Sequence, residues 1–129
     1  MQKKEKEQTE TLSHLRQELR KLLADLEGSV DVIFGRAALV KGSVYEMARK
    51  CGKTSCACAR GQLHKSMVLS WSHRGQTRLR PIPPERLAEL RRKTEEYARF
   101  RRARAQVSVV CRQILSVIDR IETLRREEP

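Results

Sequence analysis

Aromatic residues are scarce in this chain: one Trp, two Tyr and two Phe among 129 residues, or 4%. Hydrophobic residues as a whole reach only 39%, which excludes a thick globular interior and leaves a thin helix–helix seam as the expected core. No apolar run approaches the ~18 residues that a bilayer span requires. The N-terminus, "MQKKEKEQTE", sets no apolar segment behind its lysines, so no secretory signal is read and the chain is expected in the cytosol. Gly-rich phosphate loops, G-x-S-x-G and H-E-x-x-H are all missing. Glu85, Glu89, Glu95 and Glu96 sit among arginines at helical spacing and read as i,i+4 partners rather than as a catalytic pair. The chain is therefore not expected to be an enzyme or to take a small-molecule substrate.

What it has in excess is positive charge. Lys and Arg number 28 against 16 acidic residues, a formal net charge of +12. Such a balance attracts a polyanion and repels a second basic body. Nucleic acid leads as the partner, DNA slightly ahead of RNA, with an anionic membrane surface or an acidic protein behind it. Between Arg86 and Arg104 there are eight Lys/Arg against three Glu. Arginine forks suit phosphate oxygens bidentately. The candidate nucleic-acid contacts are Lys53, Arg60, Arg74, Arg78, Arg80, Arg101 and Arg102.

Apolar periodicity divides the chain into three segments of one structural unit: 1–28, 29–83 and 84–129. Residues 1–11 are polar and expected to fray. Leu12, Leu15, Leu19, Leu22 and Leu26 then step by 3, 4, 3 and 4, an a/d seam for which Gly28 offers a stop. "VDVIFGRAALV" fits a strand, a short helix or a covering loop. "GSVYEMARKC" and "KSMVLSWS" read as strands, the second with Met67, Leu69 and Trp71 on one face. "HRGQ" reads as a hairpin turn around Gly75, and "TRLRPIP" as a third strand with Arg78 and Arg80 on one face and Leu79 opposite. Trp71 either stacks on a base or belongs to the core. From Pro84 to about Arg126 nothing interrupts a helix except a possible break near "RFRRARAQ". Val107, Cys111, Ile114, Ile118 and Ile121 repeat the 4, 3, 4, 3 steps, which places Cys111 in the core. The expected fold is α+β: a small antiparallel three-stranded meander flanked by an N-terminal helix and a long C-terminal helix that form an antiparallel coiled-coil-like pair. A homodimer through either seam, or a larger protein complex, is the alternative use of these helices.

"CGKTSCACARGQLH" concentrates three of the four cysteines. Its spacing, C-x4-C-x-C-x5-H, offers Cys51, Cys56, Cys58 and His64. Three thiolates and one imidazole complete a zinc tetrahedron with no open position, which is the signature of a structural site. A loop with so little to bury gains most from such a staple. Inert thiols or a redox device are the competing readings, although C-x-x-C beside a βαβ pattern is absent. His73 could replace His64 as the fourth ligand, but it would lie at the far end of an extended strand, making His64 the better candidate.

The stretches "GSVYEMARKCGKTSCACARGQLH" and "LSWSHRGQTRLRPIPPERLAELRRKTEEYARFRR" resemble a group of small prokaryotic proteins catalogued as a domain of unknown function, over roughly residues 42–103. Where that group reads H-G-P-Y after the histidine, His64 is followed here by Lys65, Ser66 and Met67. The resemblance implies a modular unit and no particular reaction. At the level of fold alone, a strand triplet plus helix is similar to the arm-binding domains of integrases, which place a small sheet in the major groove.

Overall fold

The computed structural model describes the backbone of residues 2–129 and the side chains of residues 11–129; the expected fraying of residues 1–11 falls, Thr11 apart, outside the described side chains. Along the chain, one helix precedes and another follows a three-stranded antiparallel sheet. α1 spans Gln2–Ile33, β1 Ser43–Arg49, β2 His64–His73, β3 Gln76–Pro81 and α2 Leu87–Arg125, with one-turn 3-10 segments at Ala57–Arg60 and Pro84–Arg86. The sheet order is β1-β2-β3. The chain forms two compact units, residues 1–35 with 100–129 and residues 36–99.

In the first unit α1 and the second half of α2 run antiparallel. Leu15, Leu22, Val110 and Val117 form its buried cluster, with Leu19, Leu26, Ile114, Ile121 and Leu124 packed around them. Glu18 and Arg120 add an exposed ion pair at 3.8 Å, a minor contribution at such exposure. The leucine seam is the expected one, but Gly28 does not end it. A helical glycine costs about 1 kcal/mol relative to alanine; the stripe nevertheless continues through Val30 and Ile33, both half-buried, and α1 runs on to Ile33. "VDVIFGRAALV" therefore splits into the last turn of α1 and an irregular stretch.

The α2 seam is one residue away from the expected one. Val110 and Val117 are buried, whereas Cys111 is exposed and Ile118 is 43% exposed. Both registers share Val107, Ile114 and Ile121, and their heptad extensions separate them. Carrying 111 and 118 outward by seven reaches Arg104 and Arg125; carrying 110 and 117 outward reaches Ala103 and Leu124. The observed register buries alanine and leucine instead of two guanidinium groups, whose desolvation is costly. α2 is continuous through "RFRRARAQ".

In the second unit β1 pairs with β2 from Ser43↔Ser70 to Arg49↔His64, and β2 with β3 from Val68↔Pro81 to His73↔Gln76. Met67, Leu69 and Trp71 share one face and so do Arg78 and Arg80, each as expected; because directly paired residues share a face, the β2–β3 register brings the two sets together. The two-residue loop Arg74–Gly75 has φ +49 and +78, the left-handed pair that a type I′ turn demands. Val68, Ile82, Leu90 and Thr94 are buried. Thr94 satisfies its hydroxyl on the Leu90 carbonyl at 2.9 Å. Gly42 touches β2 closely enough that a Cβ there would stand 2.8 Å from the Ser70 carbonyl oxygen. No described helix is long and apolar enough to cross a membrane.

Candidate metal centre and basic surface

Strand pairing builds the centre. Arg49, at the end of β1, faces His64, at the start of β2, so Cys51 and His64 meet at one end of the sheet while residues 50–63 loop between them. Within that loop the Cys56 amide donates to the Lys53 carbonyl at 3.2 Å and the Ala59 amide to the Cys56 carbonyl at 3.1 Å. This tight turn swings Cys56 and Cys58 back over Cys51. The gap of a single residue between Cys56 and Cys58 is what the turn into Ala57–Arg60 uses, with Cys56 in extended backbone capping the segment.

The ligand atoms of Cys51, Cys56, Cys58 and His64 all lie within 4.8 Å of one another. Cys51 Sγ and Cys58 Sγ are 3.4 Å apart, and Cys56 Sγ is 3.2 Å from His64 Nε2. A tetrahedral zinc with ~2.3 Å Zn–S and ~2.0 Å Zn–N bonds sets such edges at about 3.5–3.8 Å. Drawn together to this degree, the four donors could hold a metal ion. Cys58 is buried, Cys56 half-buried, Cys51 and His64 exposed. His73, the alternative fourth ligand, stands at the far end of β2.

Amide dipoles bias the thiols. The Lys53 amide, joined by Cys58, holds the Cys51 thiol below the usual thiol range. The Cys58 amide does the same for Cys56. Cys58 receives the Cys51 amide, at 3.3 Å, but burial and the two neighbouring sulfurs outweigh it and push this thiol up. Two of the three sulfurs are thus prepared for the thiolate form that metal binding requires, and the buried one is not.

The seven candidate nucleic-acid contacts are all exposed. Lys53 and Arg60 stand on the cysteine loop, Arg74 at the hairpin tip, and Arg78 and Arg80 on one side of β3. Arg101 and Arg102 lie on α2 in the other compact unit. Among the described residues, ion pairs engage Arg86, Lys93, Arg99, Arg120 and Arg126; none engages any of the seven. Trp71 is half-buried, and the Arg80 guanidinium sits 5.8 Å from its ring centroid, within cation–π range. It is neither a fully buried core residue nor a bare stacking platform.

A family model described as "Domain of unknown function (DUF6788)" matches residues 9–92. The match takes in most of α1, all four metal donors and the whole sheet, so it begins well before the expected residue 42. Comparison with curated proteins and with solved structures gave no match.

Proposed function

The chain belongs to this family of unknown function, and we propose that it is a nucleic-acid-binding module, DNA ahead of RNA, whose sheet is stapled by a structural zinc ion. The observation that carries the reading is a set of exposed, unpaired cations. Glu18, Glu89, Glu96 and Glu122 pair with other lysines and arginines, while Lys53, Arg60, Arg74, Arg78, Arg80, Arg101 and Arg102 stand in solvent without an acidic partner among the described residues. A guanidinium left unpaired keeps its five donors for phosphate oxygens. Cys51, Cys56, Cys58 and His64 would hold the zinc in a closed site, which supplies rigidity and no reaction. Lys53 and Arg60 ride on the loop that it would fix.

The test is a salt series of binding to duplex and to single-stranded DNA. Affinity should fall linearly on logarithmic axes, and Arg78→Gln with Arg80→Gln should flatten the slope by about 2. Absence of binding to either form, or an affinity indifferent to salt, overturns the proposal. Elemental analysis of the purified protein should give one zinc per chain.

A further inference from the structure

The α1/α2 unit leaves apolar surface beside its seam. Leu23 directly follows buried Leu22, Cys111 follows Val110 and Ile118 follows Val117, and these three are exposed, as is Leu115 at 62%. One residue further on is about 100° around a helix. In an antiparallel pair the same sense of rotation carries both helices to the same side, so the four side chains share one face of the unit. The unit's own buried cluster holds only four side chains.

Charge says what can cover this face. In a chain of net +12, residues 107–122 hold Arg112 and Arg120 against Asp119 and Glu122, a balance of zero. Two copies can therefore approach here without the repulsion they meet elsewhere. Arg112 and Asp119 each stand one residue beyond the apolar row, after Cys111 and Ile118, seven residues apart on one edge. Neither has an ion-pair partner among the described residues, Arg112 donating only to the Ser108 hydroxyl at 3.0 Å.

We propose that this face binds a second copy of the chain, with α2 antiparallel to α2 about a twofold axis between Leu115 and Ser116. Leu115 and Ile118 of each copy pack on those of the other, and each Arg112 meets Asp119 of the second copy. An isologous contact of this kind is self-complementary and closes at two. It is independent of the nucleic-acid reading, and it uses a stripe distinct from the intramolecular seam.

Sedimentation equilibrium of the full-length, nuclease-treated, zinc-supplemented protein tests it. The expected mass is about 30 kDa, twice the 15.0 kDa chain. Leu115→Arg, at an exposed position, should keep the circular dichroism spectrum and weaken association by about 100-fold or more. Asp119→Arg should weaken it about tenfold, and adding Arg112→Asp should restore it. A wild-type monomer at about 100 μM protein overturns the proposal, since a stable dimer of this kind associates well below that concentration. So does a dimer indifferent to Leu115→Arg, or a charge swap that fails to restore association.

Discussion

Cys58 lies 1% exposed among the metal donors, whereas Cys111 stands in solvent on α2. Cys58→Ser should abolish stoichiometric metal and lower the melting temperature by 10 °C or more, on the order of the several kcal/mol that a structural site contributes. Cys111→Ser should stay within about 0.5 kcal/mol of the parent. Differential scanning fluorimetry with metal analysis separates the two. Protonation acts at the same atoms. Cys51 and Cys56 have folded thiol values lowered by amide donors, so their contribution is present above the unfolded thiol value and is lost as pH falls through the folded one. Cys58, shifted up, works in the opposite sense. Because protons also compete with the metal for all three sulfurs, loaded protein should lose metal and melt earlier as pH falls from about 8 to about 5. A chromophoric chelator present throughout the titration reads that release directly.

At the scale of elements, the hairpin and the long helix carry separate lessons. Arg74 holds φ +49, a conformation that costs a non-glycine residue about 1 kcal/mol and that asparagine adopts more easily. Arg74→Asn should therefore stabilise the sheet by about 0.5 kcal/mol in urea denaturation while weakening DNA binding, so that stability and affinity move apart. Gly42→Ala should do the opposite to stability: its Cβ would meet the Ser70 backbone oxygen at 2.8 Å, and yielding there costs about 1–3 kcal/mol. The strands, the turn and the leucine seam were legible because alternation, Gly75 and 3,4 spacing each answer to a local rule. The donor set was legible too, since four ligand types at short separation need only a tight loop to meet. The α2 register was misread because Val107, Ile114 and Ile121 belong to both candidate seams; extension to Arg104 and Arg125 would have decided it. The run past Gly28 was hidden because the benefit of burying Val30 and Ile33 depends on packing by the rest of the unit, which no local signal reports.

At the scale of the whole molecule, the two ends of the chain build one compact unit and the 36–99 segment builds the other. That arrangement has a consequence for synthesis. The sheet and the cysteine loop draw only on neighbouring sequence, so they can close once β3 and the first turns of α2 have emerged. α1 emerges before its partners Val110 and Val117, which follow the whole 36–99 segment in the chain, so its leucine stripe is satisfied only after that segment has been made. Joining the two ends across some 64 residues carries a loop-closure cost of about 4 kcal/mol beyond a constant, which a prior fold of the intervening segment reduces. If the cysteine loop takes up zinc as proposed, that capture would be a timing event as well as a structural one. Chains made under zinc starvation leave the leucine stripe of α1 waiting without a folded bridge to its partner, and insoluble protein should accumulate during synthesis rather than after it.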